Sequence, residues 1–168
     1  MSQLRTATTQ DIETIRQVAQ EAWPVAYGSI LKPDQIEYML DMMYSAASLH
    51  KQMEEEGCEF IIAELDKPVG FASFSEIGDG LFKLNKLYVL STMQGLGVGS
   101  RLTREVIRRC EERGGTLLEL QVNKNNEAKL FYEGLGFEVD HEGVFDIGQG
   151  YVMDDYIMSY ALNPNLSA

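Results

Sequence analysis

Three glycines at alternating positions, Gly95, Gly97 and Gly99, lie in the segment Gln94-Gly95-Leu96-Gly97-Val98-Gly99-Ser100. Without Cβ atoms they leave the backbone open to close approach by a ligand. The residues that follow, rich in Leu, Val, Ile and Arg, read as a helix. The free N–H groups of a helix start, joined to those of a glycine turn, form a nest that attracts phosphate oxygens. The chemistry on offer is therefore a pyrophosphate cradle between a strand and a helix. An ordinary glycine-rich turn fits the same spacing, and glycines alone do not separate the two readings.

The elements that must position this turn follow from periodicity. Leu4–Ala7 reads as a short strand. Thr8 with Asp11 resembles a capping box, and Ile12, Ile15, Val18, Ala19 and Ala22 follow at helical spacing up to an expected stop before Pro24. A second helix is expected after Pro33, and another turn of helix from Ser45 to Glu56, ended by Gly57. From Cys58 the period becomes two, with a hairpin over CEFIIAEL and PVGFASFSEI. The central strand, Leu81–Val89, leads into the glycine turn and a helix over Val98–Arg113. TLLELQV is a further strand, Glu127–Leu135 a short helix, and Phe137–Val144 and Tyr151–Ala161 two last strands. This order predicts an α/β domain with a mixed sheet, one domain over residues 1–168.

A formal net charge of −12 argues against nucleic acid, because neutralising phosphates needs a basic face. The same surplus of carboxylates suits a cationic substrate, and it also serves plain solubility. Cys58 and Cys110 read as reduced thiols, and with His50 and His141 they form no recognised metal spacing. No apolar run reaches the roughly 20 residues needed to span a bilayer. No metal, no membrane and a cytoplasmic setting are the expectations.

A dinucleotide-binding turn is one alternative, since Gly95-x-Gly97-x-x-Ser100 approximates its fingerprint and Glu119 lies near the ribose-binding offset. Against it, the turn sits past mid-chain and follows hairpins. Gln94-x-x-Gly97-x-Gly99 instead resembles the acyl-coenzyme A signature of the GNAT superfamily, preceded by a matching strand end, Leu87-Tyr88-Val89. Downstream, Asn125-x-x-Ala128-x-x-x-Tyr132 and Gly134-Leu135-Gly136-Phe137 resemble the family's second signature. The resemblance covers nearly the whole chain, and its N-terminal pattern looks closest to bacterial acetyltransferases of the polyamine type.

The resemblance implies a GNAT fold: a mixed central sheet with a splayed strand pair, flanked by helices. It implies acetyl-CoA as co-substrate, held by Leu87, Tyr88 and Val89, by the backbone from Gln94 through Gly95, Leu96, Gly97, Val98 and Gly99 to Ser100, and by Asn125 or Asn126. Arg101, Arg104, Lys124 and Lys129 are candidate offsets to the cofactor's negative charge. Tyr132 is implied as the acid that protonates the departing thiolate. Glu76 is the candidate general base, with Glu119 behind it, and Gln121 stands where several relatives carry Glu. Trp23, Tyr27, Tyr38 and Tyr44 would line the acceptor site or simply pack a core, and Asp154 and Asp155 would add negative potential. The implied reaction is direct transfer to a small cationic amine such as a polyamine, without an acyl-cysteine. A protein or peptide acceptor, a non-catalytic coenzyme A-binding module and a homodimeric assembly are kept as alternatives.

Overall fold

The computed structural model describes residues 2–164, so Met1 and the last four positions of the expected domain lie outside the described residues. The chain runs β1 (Gln3–Thr6), α1 (Ile12–Tyr27), α2 (Pro33–Tyr44), α3 (Ala46–Glu54), β2 (Glu59–Glu64), β3 (Pro68–Gly78), β4 (Leu81–Val89), α4 (Val98–Glu112), β5 (Leu117–Asn123), α5 (Ala128–Gly134), β6 (Glu138–Gly148) and β7 (Tyr151–Ala161). Seven strands form one sheet in the order β1-β2-β3-β4-β5-β7-β6. All neighbours are antiparallel except β4 and β5.

One sheet face packs Ile61, Phe74, Phe82, Leu118 and Met158 against Val98, Leu102 and Val106 of α4. The other packs Phe60, Ile62 and Phe71 against Trp23 of α1, Met39 of α2 and Leu49 of α3. Arg109 on α4 adds an ion pair to Glu59 on β2 at 2.7 Å, with both side chains largely covered.

Local signals set most boundaries. The Thr8–Asp11 capping box forms, with Asp11 Oδ2 accepting the Thr8 N–H at 2.8 Å. Ser45 Oγ accepts the Ser48 N–H at the start of α3, so the region after Ser45 is a helix in its own right. The expected stop before Pro24 is wrong: α1 continues through Pro24 to Tyr27. A helix-interior proline costs about 3 kcal/mol. Trp23 and Tyr27, four residues apart and with ring centroids 4.5 Å apart, are both buried on the continued helix. Burying two such side chains contributes about 2 kcal/mol each, enough to offset the proline.

Candidate active site

β4 and β5 pair only over Leu81–Lys83 with Leu117–Glu119, and beyond that the sheet opens between them. The cause lies next door on β4. Ser73 pairs with Lys86 while Phe74 pairs with Leu84, which leaves Asn85 as the extra residue of a bulge. Bulges bend a strand and raise its twist. This one also switches side-chain parity: Phe82 and Leu84 face α4 before it, Leu87 and Val89 after it.

The backbone beyond the bulge is aimed by the same pairing. Leu90 N–H donates to Val69 O on β3 at 2.8 Å. By strand alternation the N–H and C=O groups of Tyr88 also turn toward β3, and those of Leu87 and Val89 turn into the opening. Leu87 and Val89 therefore present the free edge that sequence reading expected. Tyr88 does not: its side chain lies in the aromatic layer against α1, where its hydroxyl meets that of Tyr27 at 3.0 Å. The resulting cleft, about 50 Å³, is lined by Tyr27, Lys86, Leu87, Gln121, Asn126 and Tyr132 among others.

The glycine turn stands beyond the end of β4. Gly95 and Gly97 have φ of +86° and +79°, a region that favours glycine, and a Cβ at either would meet open space. Their role on the bare chain is conformational, and it leaves room above the turn. Gly97 is the N-cap of α4, and the first bond of that helix is Arg101 N–H to Gly97 O at 3.0 Å. The amides of Val98, Gly99 and Ser100 precede it and are free for an anion. Val98 contributes only its backbone, since its side chain is core; Gln94 and Leu96 are exposed on the turn. Gly99 packs close to Phe131 of α5, which a Cβ would approach to 3.3 Å. These features fit a coenzyme A pyrophosphate.

Of the four candidate cations, Arg101 holds Ser2, Lys124 pairs with Glu142 and Asp154, and Lys129 pairs with Glu133. The Arg104 side chain is exposed and makes no hydrogen bond or ion pair among the described residues.

Tyr132 is buried, lines the cleft, and has its hydroxyl pKa pushed up by burial and by the neighbouring Tyr27. It therefore keeps its proton across the physiological range, as an acid must. Asn126 lines the cleft and its Oδ1 accepts the Ala128 N–H at 2.9 Å, starting α5. Asn125, the residue the signature points to first, is exposed, and only its backbone N–H is engaged, by Asn123 Oδ1. Of the two asparagines, Asn126 and not Asn125 is among the residues that line the cleft.

Glu76 is not brought to the cleft. It pairs with Phe82 at the closed end of β3–β4, is exposed, and accepts the Gly80 N–H at 3.1 Å, which fastens the turn. Trp23 and Tyr44 are core residues, with Trp23 Nε1 donating to Tyr44 Oη at 3.3 Å. Tyr38 donates to Ile147 O at 2.7 Å, tying α2 to β6. Of the four aromatics only Tyr27 reaches the cleft.

Sequence reading missed Lys86. It lines the cleft, donates to Gln52 Oε1 at 2.7 Å, and has its pKa pushed down by burial to about 8. Asn85 was the available signal, since asparagine disfavours strand interiors and marks irregularity there. Asp155 is the other buried charge. It is 4% exposed on β7, opposite Asn123 of β5, and its Oδ1 has no hydrogen-bond partner among the described residues. No group of three His, Cys, Asp or Glu side chains among the described residues is placed to hold a metal ion. No helix there is long and apolar enough to cross a membrane.

Residues 29–152 match the acetyltransferase (GNAT) domain family. An uncharacterized N-acetyltransferase of Mycobacterium tuberculosis is 27% identical over 150 residues, 88% of this chain and 96% of that protein. The ribosomal protein bS18-alanine N-acetyltransferase of Haemophilus influenzae is 32% identical over 98 residues, 58% of this chain and 66% of that one. The crystal structure of PaiA N-acetyltransferase from Thermoplasma acidophilum in complex with coenzyme A is similar with a TM-score of 0.80 at 24% identity, covering 96% of this chain and 99% of the other.

Proposed function

The chain belongs to the GNAT family of acetyltransferases, and on that premise we propose that it transfers acetyl from acetyl-CoA directly to a small cationic primary amine. The observation that carries this is the opening beyond Lys83 and Glu119, where β4 leaves the Leu87 and Val89 backbone groups unpaired ahead of the glycine turn that starts α4. A pantetheine arm laid there pairs with β4 as an added strand. The Gly95–Ser100 amides hold the pyrophosphate, and Asn126 borders the arm. Tyr132 supplies the proton that the sulfur takes as the thioester bond breaks. In this reading the Val89 N–H polarises the thioester carbonyl.

The thiols give no support to an acyl-enzyme. Cys110 is fully buried with its pKa pushed up to about 12, and Cys58 is also raised by burial. Neither is a ready thiolate. Free thiols accord with a reducing, cytoplasmic setting, which belongs to the same proposal.

The acceptor is argued from charge. A net charge of −12 and a buried carboxylate on the acceptor side of the sheet favour an alkylammonium over an anionic partner. Among the relatives named above, only the bS18-alanine N-acetyltransferase has a name that specifies its acceptor. The bS18-alanine N-acetyltransferase relative favours a second reading, an N-terminal peptide amine. Steady-state kinetics with putrescine, spermidine and an alanyl peptide decide between them. A higher kcat/KM for the small amines is expected, and a preference for the peptide would replace this reading with the second.

A further inference from the structure

We propose that Asp155 is the general base of the transfer: its carboxylate receives the acceptor's ammonium and removes one proton. The inference rests on the acetyltransferase reading above and adds the group that Glu76, held at the far turn, leaves missing.

The placement comes from register. On the antiparallel β5–β7 pair, Asp155 lies opposite Asn123 and Ile157 opposite Gln121, so these four side chains share one sheet face. Gln121 on that face lines the cleft. Met153, two residues before Asp155, joins the apolar layer beneath α1 and α2, which fixes the face as the α1 side. The carboxylate is close enough to Tyr27 for its charge to oppose ionisation of that phenol, and Tyr27 lines the cleft beside Asn126. Asp155 thus stands on the acceptor side of the opening, across the sheet from α4.

Its bonding is the second observation. The side chain is 96% buried, one oxygen is sealed and unpartnered, and the carboxylate makes no hydrogen bond or ion pair among the described residues. A buried carboxylate without a donor is costly, and the fold has no structural use for this one. A donor supplied by the substrate relieves that cost. An ammonium does so as both hydrogen-bond donor and countercharge.

The groups facing Asp155 set its proton affinity. Burial raises its pKa, Asp154 on the same strand raises it further, and Lys83 from β4 lowers it, leaving it at about 6. Tyr27 from α1 is a neutral phenol, while Asn123 and Gly143, its partners on β5 and β6, carry no charge. Asp154 is itself paired with Lys124, which also holds Glu142. Near neutral pH the carboxylate is ionised and still basic enough to take a proton.

The proton count closes. Asp155 takes one proton from the ammonium and returns it to solvent. The neutral nitrogen forms its bond to the carbonyl carbon, the carbon–sulfur bond breaks, and the sulfur leaves with the Tyr132 proton. The second nitrogen proton, released as the amide forms, restores Tyr132. The products are the acetylated amine, coenzyme A thiol and one proton.

The test is the pH dependence of kcat/KM with acetyl-CoA and the best acceptor among putrescine, spermidine and the alanyl peptide. Wild type should rise below pH about 6, then hold a plateau up to the amine's own pKa, because carboxylate and ammonium are used together. Asp155→Asn should lose about 10²-fold or more at pH 7 and climb about tenfold per pH unit with no plateau. A hydrazide, uncharged at pH 7, needs no base and should bring the variant within about tenfold of wild type. Asp155→Glu should keep a plateau. If Asp155→Asn fails to fold, wild type alone decides: the limb near pH 6 must appear with the strongly basic acceptor and vanish with the hydrazide. The same limb with both acceptors, or a variant that keeps the plateau, overturns the role of Asp155 while leaving the acetyltransferase reading intact. No transfer by wild type to any acceptor overturns both.

Discussion

Lys83 on β4 and Glu119 on β5 are the last residues that the two central strands share in register. The next residues of β4 enter the bulge at Asn85, and from there the strand pairs only with β3. A parallel pair that stops after three residues would be a defect in an ordinary sheet, because it strands backbone donors and acceptors. Here it creates the edge at Leu87 and Val89, and Tyr27, Asn126 and Tyr132 line the cleft beside it.

Removing the Tyr132 hydroxyl tests the acid. Tyr132→Phe should lower kcat by about 10- to 10²-fold while calorimetry finds acetyl-CoA affinity nearly unchanged. The ring stays to pack against Phe131 and Phe137, whose centroids lie at 5.1 and 5.5 Å. An equal loss of affinity would make Tyr132 a binding residue instead.

The nest is tested at Gly97 with residues that tolerate its positive φ. Gly97→Asn and Gly97→Asp are similar in shape and both visit the left-handed region more readily than other side chains. Any difference between them therefore reports charge at the phosphate site. The aspartate variant should bind coenzyme A about tenfold more weakly than the asparagine variant, and this gap should shrink in high salt. Equal affinities would place the pyrophosphate elsewhere.

Asp155 should carry a stability cost that depends on pH. Its folded pKa of about 6 lies above the unfolded value of about 3.9, so the folded state favours the protonated form. That contribution is present below the unfolded pKa and lost as pH rises through the folded one. Asp155→Asn should accordingly be more stable than wild type at pH 7, by about 1–2 kcal/mol, with the gap closing by pH 4. Thermal melts at the two pH values measure it. A variant gaining stability while losing turnover is the pattern expected of a group kept for chemistry.

Most of the fold was legible because its signals are local. Glycines mark the turns, the period switches to two at Cys58, and Thr8 with Asp11 marks the start of the first helical segment. Pro24 misled because tertiary burial of Trp23 and Tyr27 outweighed a local penalty, which no window of sequence displays. The glycine turn and the helix start proposed to hold the cofactor were legible because backbone conformation sets them. The acceptor side was not. Glu76 reads as a carboxylate near a strand end, yet which end of the cleft a strand end faces is set by register. Asp155 reads as one of two adjacent acids on a strand, and only the pairing with Asn123 shows that it is the buried one.

The thiols supply a control. Cys58→Ala and Cys110→Ala should retain kcat, with Cys110→Ala losing about 1 kcal/mol of stability through the cavity left beside α4. An acetylated cysteine trapped by mass spectrometry at a rate matching turnover would contradict direct transfer.

Amide hydrogen exchange at single-residue resolution, with and without acetyl-CoA, tests the central claim most directly. Leu90 N–H is bonded to β3 and alternation places that of Tyr88 likewise, while those of Leu87 and Val89 face the opening. Acetyl-CoA should therefore slow exchange at Leu87, Val89 and the Val98–Ser100 amides, and leave Tyr88 and Leu90 nearly unchanged. Protection that skips Leu87 and Val89, or that falls on Tyr88 and Leu90 instead, would contradict the account.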